Sequence, residues 1–334
     1  MNPSGIYHRA IAETPIAVVD TETTGLYPGG DRIIEIAVVR ATPGEEPTVV
    51  LDTLVNPERP VSATEIHGIT DQDVADAPTF RDIAGQVVEA LRGSVFASYN
   101  VYFDSKFVRE ELRRAGVRTF PPHLCLMYMR PMLGMGRKCS LRDACADSGV
   151  NHSSAHHAAA DALAAVALWR QYLAKCGKDG VRTFKELAGL KSYKFTSSFD
   201  DSMLGDDTPR APHRDVRMKS RGSSLAGSIA AATPAHSDRQ PVLSAYWDAL
   251  SAALADIDVT PHQVFYLKAK QSALGLRPEE LRWLHARAFS GLLADICQDK
   301  AVTNVEVDSL SNIAGALREL GWAPGDPLAG AATA

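Results

Sequence analysis

Three short stretches of this chain carry acidic residues at spacings that could hold a metal ion. Asp20 and Glu22 stand two apart in VVDTETTGL. On a strand, side chains at i and i+2 point to one face, so both carboxylates can address one site. Side by side they repel, and they titrate as a coupled pair unless a cation lies between them. A ligand set made only of oxygen suits Mg²⁺ or Mn²⁺ and not zinc. Asp104 closes the stretch YNVYFD at the opening of a helical pattern, where it could equally be a helix cap. His156 precedes Asp161 by five residues in SAHHAAADALAAVALW. On a helix that gap brings both side chains to one broad side, the imidazole about one and a half turns ahead. An unpaired carboxylate on so apolar a helix is costly, and a metal shared with Asp20 would supply its partner.

Positioning these groups requires a sheet and helices. Residues 16–20 (IAVVD), 33–40 (IIEIAVVR) and 48–55 (TVVLDTLV) are β-branched runs separated by turn chemistry, the pattern of a β-meander. Apolar spacing then predicts a helix over 80–91, a short strand over 95–98, and helices over 103–115, 140–146 and 155–173. Strands first, then strands alternating with helices, predict an α/β domain over residues 10–176, built on a mixed sheet. Residues 177–240 are expected to form a poorly ordered linker, because from 191 onward Ser, Asp, Pro, Gly and Arg replace large apolar residues. Within it Arg210, Arg214, Arg217, Lys219 and Arg221 oppose only Asp215. That stretch is either a solvated linker or a contact for a phosphate backbone. Over 241–324 amphipathic periodicity returns and predicts a small all-α accessory domain of four helices. Pro278 sits where one helix would start, and Thr303-x-x-Glu306 reads as a capping box before another.

Taken together, the acidic stretches resemble the DnaQ-like exonuclease superfamily, its DEDDh branch, and in particular the epsilon type of proofreading subunit. The resemblance covers roughly residues 14–175. It rests on Asp20-Thr-Glu22-Thr-Thr-Gly25, on Asn100-Val-Tyr-Phe103-Asp104, and on His156-His-Ala-Ala-Ala-Asp161-Ala162. The segments Ile66-His-Gly-Ile-Thr-Asp71 and Ala77-Pro-x-Phe80 are similar to the epsilon-type stretch that lines the nucleotide site. One departure is Tyr99, where many relatives have histidine.

The resemblance implies an RNase H-like sheet and 3′→5′ hydrolysis of phosphodiesters with two Mg²⁺ or Mn²⁺ ions. Asp20 would bridge both ions, Glu22 and Asp161 would complete one site, and Asp104 would serve the other. His156 would act as general base, with His157 at the surface. Thr23, Thr24, Gly25, Leu26, His67, Asn100 and Phe103 would meet the terminal nucleotide. The implied substrate is a DNA 3′ end, most simply single-stranded, in proofreading or repair. RNA trimming by a relative of the same superfamily, or a non-catalytic binding module, is the competing expectation. The helices of 241–324 would dock a polymerase or another replication or repair protein. Their Asp295…Asp299…Glu306 segment faintly resembles the acidic turn of TerB-like domains.

Bulk composition bounds these readings. The 334 residues carry a formal charge of −5, which excludes a basic coat over the whole surface but not a local basic track. Five cysteines, none in a CxxC pair, argue against a disulfide framework or a zinc ribbon and suit a reducing cytoplasm. The first residues lack an apolar signal core, and no apolar run is long enough to span a bilayer. A cytoplasmic protein with no membrane partner is the expectation.

Overall fold

The computed structural model describes residues 5–152, 157–205, 216, 218–221, 239–255, 259–296 and 304–324. The chain divides into two units, one built on a sheet and one on helices.

The sheet unit holds β1 (Ile16–Thr23), β2 (Ile33–Ala41), β3 (Thr48–Leu54), β4 (Val95–Ser98) and β5 (His123–Cys125), in the order β3-β2-β1-β4-β5. β1, β2 and β3 pair antiparallel, as short turns require, whereas β4 and β5 join parallel to β1 through helical crossovers. β1 is the middle strand, and its Ile16–Val19 run is buried on both faces. Its sequence is accordingly a continuous apolar run rather than an alternating one. Asp20 and Glu22 therefore arrive where the buried half of the strand ends. β4 runs parallel beside it, so its exit toward Asp104 lies on the same edge of the sheet.

Along the chain, α1 (Thr64–His67) belongs to the helical unit, and α2 (Asp71–Val74), α3 (Phe80–Leu91) and α4 (Val101–Arg114) follow in the sheet unit. Next come α5 (Leu126–Met132), α6 (Leu141–Ser148) and α7 (Ala158–Asp179), the last lying against β1 and β2. Thr79 and Asp82 close a capping box at the start of α3, and Ser140 caps α6.

Two sequence expectations are corrected here. First, α7 begins at Ala158 with His157 as its N-cap, not at 155. Second, the sheet unit does not stop at Cys176. α8 (Phe184–Leu190) and a 3-10 turn (Lys194–Asp200) continue it, with Phe184, Phe195 and Phe199 fully buried. These three rings supply the core that a linker would lack. β5 and α5 also escaped the periodicity reading, since a three-residue strand and a helix containing Pro131 leave little pattern.

The helical unit contains α9 (Gln240–Leu254), α10 (Pro261–Leu274), α11 (Pro278–Ile296) and α12 (Asn304–Glu319). Its core gathers Tyr246, Leu250, Leu267, Leu284, Ile313 and Leu317 from all four. Thr260 and Gln263 form the capping box of α10. Thr303 lies outside the described residues. Two short excursions from the N-terminal half, residues 25–31 and 63–68, also belong to this unit, and Ala63 and Ile66 are buried in its core. No described helix is long and apolar enough to cross a membrane.

Candidate metal centre

The ligand atoms of Asp20, Glu22 and Asp161 all lie within 4.8 Å of one another. β1 presents the first two on one face. α7 presents the third in its first turn, where the amide of Asp161 donates to the His157 carbonyl at 3.0 Å. A carboxylate is favoured at that helix end by the unpaired N–H groups and the dipole. Burial pushes Asp20 well above the usual carboxylate range, and the charges of Asp161, Asp104, Glu22 and Glu35 push it further, in that order. Three converging carboxylates with no cation among them are electrostatically frustrated, and a divalent ion bound by oxygen relieves that directly. The donor set fits Mg²⁺ or Mn²⁺.

Asp104 stands outside that triad. Thr21 Oγ1 donates to its Oδ1 at 2.8 Å, and Ser98 Oγ donates to its Oδ2. Burial raises its carboxyl to about 6, against the pull of those two hydroxyls. Three of the four predicted carboxylates are thus brought together, and the fourth is held beside them by hydroxyls of β1 and β4.

His156 lies outside the described residues, and α7 starts at Ala158. Among the described residues, His152 meets Asp161, with Nε2 2.5 Å from Oδ1. Nine residues separate the two, a spacing with no helical or strand register, so sequence periodicity could not have found the contact. Glu35 was also missed, although its signal was visible as the lone acidic residue inside IIEIAVV. It pairs across the sheet with Glu22 and is 1% exposed. Burial lifts its carboxyl to about 7, with Arg221 opposing the rise.

Of the predicted nucleotide contacts in the sheet unit, Thr23 follows a β-bulge at the end of β1 and is buried. Thr24 is fully buried, its amide donating to the Arg32 carbonyl at 2.9 Å and its hydroxyl accepting from the Arg32 amide at 3.1 Å. Asn100 is the N-cap residue of α4, yet its side chain makes no capping bond, and its Oδ1 is buried without a hydrogen-bond partner. Phe103 is half-buried against Phe107, with ring centroids 5.0 Å apart. Tyr99 is buried and its hydroxyl lies 2.9 Å from the Cys139 carbonyl, which gives this departure a packing role. Gly25, Leu26 and His67 belong to the helical unit. A side chain at Gly25 would collide with Asp31, and His67 is 2% exposed. Leu26 packs against α11 at Gly291. Of the basic stretch, Arg210, Arg214 and Arg217 lie outside the described residues, while Lys219 pairs with Asp76 and Arg221 with Glu35.

Residues 17–169 match the RNase T exonuclease family. The chain is 44% identical over 111 residues to a DNA polymerase III subunit epsilon-like protein of Rhodobacter capsulatus, covering 30% of this chain and 16% of that one. It is 30% identical over 147 residues to the DNA polymerase III subunit epsilon of Pasteurella multocida, covering 41% of this chain and 58% of the relative. The chain thus spans less than two thirds of the length of either. Among solved structures, E. coli exonuclease I in complex with a dT13 oligonucleotide gives a TM-score of 0.42 at 21% identity, covering 50% of this chain and 42% of that one. The family match ends at residue 169, so the TerB-like likeness of the C-terminal helices gains no support. Asp299 and the side chain of Asp295 lie outside the described residues.

Proposed function

We propose that the protein, whose residues 17–169 match the RNase T exonuclease family, removes nucleotides from DNA 3′ ends in proofreading or repair. The observation that carries this reading is the convergence of Asp20, Glu22 and Asp161 from β1 and the first turn of α7. Asp20, Glu22 and Asp161 would hold Mg²⁺ or Mn²⁺, with Asp104 serving a second ion. When bound, such ions neutralise the phosphodiester and acidify coordinated water.

The chain's own residues supply the rest. His152 holds one oxygen of Asp161 and so fixes how that carboxylate is offered. His156 is the proposed proton acceptor, because an imidazole titrates close to working pH. Thr23, Thr24, Asn100 and Phe103 are proposed to seat the terminal nucleotide. The unpartnered Oδ1 of Asn100 supports a polar ligand there, since a buried acceptor left alone is costly. The helices of 241–324 are proposed to engage a polymerase or another replication or repair protein. The described cysteines are free thiols, in keeping with work in the cytoplasm.

The test is product analysis on matched single-stranded DNA and RNA oligonucleotides with Mg²⁺ or Mn²⁺. Nucleoside 5′-monophosphates released from the DNA 3′ end support the proposal. Release from RNA alone would replace DNA as the substrate, and no release from either would overturn the activity.

A further inference from the structure

The four-residue stretch 218–221 falls where the sequence predicts a solvated linker or a phosphate contact, yet it is bonded along the outer edge of the sheet. The amide of Leu54 donates to the Lys219 carbonyl at 2.8 Å, and the amide of Lys219 donates to Thr53 Oγ1 at 3.0 Å. Ser220 Oγ donates to the Asp52 carbonyl at 3.0 Å, and Lys219 Nζ pairs with Asp76. β3 is an edge strand, so its outward groups are open to such a strap.

The strap ends by placing Arg221 Nη1 3.4 Å from Glu35 Oε2, a pair 186 residues apart in sequence. The same Glu35 oxygen accepts the amide of Ala158 at 3.3 Å. Ala158 is the first residue of α7, whose N-cap His157 makes no side-chain capping bond. A helix start leaves its first amides unpaired, and here a carboxylate from β2 takes one of them. Three residues on, α7 carries Asp161.

We propose that Arg221 is a positioning residue of the nuclease site: it holds Glu35 against the first turn of α7 and thereby fixes where Asp161 is presented. This rests on the nuclease reading above. The guanidinium restrains the rotamer of the Glu35 side chain, which is 1% exposed and accepts the Ala158 amide. The strap therefore ties a stretch far along the chain to the geometry of the acidic cluster.

The test uses the full-length protein with Arg221→Gln and Arg221→Lys. Hydrogen–deuterium exchange is measured on the metal-free proteins, and kcat and KM on a single-stranded oligonucleotide with Mg²⁺. Arg221→Gln is expected to speed exchange at amides 158–161 while leaving the rest of α7 protected. It is also expected to lower kcat about tenfold with KM unchanged, as loss of a ligand's outer partner does. Arg221→Lys should recover part of both effects. Unchanged exchange at 158–161 overturns the proposal, as does faster exchange with normal kcat. A rise in KM alone also overturns it, because that result makes Arg221 a phosphate contact. Should the wild-type protein prove inactive on every oligonucleotide, the nuclease reading fails, and the exchange result still decides whether the strap holds α7.

Discussion

His152 Nε2 lies 2.5 Å from Asp161 Oδ1, so one oxygen of a converging carboxylate is already oriented by an imidazole. Partners of this kind set the direction and basicity of a metal ligand, and their loss commonly costs 10–100-fold in affinity or activity. His152→Ala is expected to raise the Mn²⁺ concentration for half-maximal activity about tenfold, with His152→Gln closer to wild type. A Mn²⁺ titration of initial rates checks this. An unmoved midpoint would leave the contact without a role in ligand placement.

Glu35 and Asp104 shape the pH dependence of the metal-free protein, in the same direction as the raised Asp20. Glu35 titrates at about 7 and Asp104 at about 6 in the folded chain, both raised chiefly by burial. Unfolded, each titrates near ~4. A carboxyl raised in the folded state stabilises the fold fully below its unfolded value, and that contribution is lost as pH rises through the folded value. Thermal stability in EDTA should therefore fall between about pH 4 and pH 7. Glu35→Gln should flatten the upper part of that fall. A melting temperature that rises steadily across the interval would contradict the assignment.

Arg32 returns the chain to the sheet after the excursion of residues 25–31, and Glu111 anchors it. The carboxylate, 2% exposed, accepts Nε at 2.6 Å and Nη2 at 3.1 Å. Removing one partner of a buried pair leaves the other uncompensated. Arg32 keeps the Pro57 carbonyl and some access to water, so the cost falls below that of a fully buried pair. Glu111→Ala is expected to destabilise by about 2–3 kcal/mol, or roughly 4–12 °C in Tm. Calorimetry measures it directly, and a shift under one degree would show that the pair contributes little.

Gly291 inverts a general rule. A glycine inside a helix is normally improved by alanine, by up to about 1 kcal/mol. Here a Cβ would sit 2.5 Å from Leu26 Cβ, closer than packed carbons tolerate. Gly291→Ala is thus expected to lower the stability of the helical unit, read by exchange at the amides of α11. Slower exchange in the variant would mean that Leu26 yields without cost.

Most of the sheet and the acidic triad are legible in the amino-acid sequence, for identifiable reasons. Ile16–Val19 is apolar because β1 is covered on both faces, and Asp20 and Glu22 stand out against it. The four C-terminal helices are also visible, through recurring apolar positions such as Leu250, Leu267, Leu284 and Leu317 that enter their core. What escapes lacks periodicity or depends on closure of the chain. His152 meets Asp161 through no regular spacing, and Arg221 reaches Glu35 from a stretch whose composition suggests a linker or a phosphate contact. Short-range pattern also cannot reveal that the segments carrying Leu26 and His67 are built into the core of the helical unit.

The central claim is that Asp20, Glu22 and Asp161 form the metal centre of a 3′→5′ exonuclease. The most direct measurement incubates a 5′-labelled single-stranded DNA oligonucleotide with the purified full-length protein and Mg²⁺, beside a folded Asp20→Ala variant. Stepwise shortening from the 3′ end by the wild type, abolished in Asp20→Ala and by EDTA, is the predicted result. An undigested wild-type lane, or an Asp20→Ala variant that trims as fast as wild type, would contradict it.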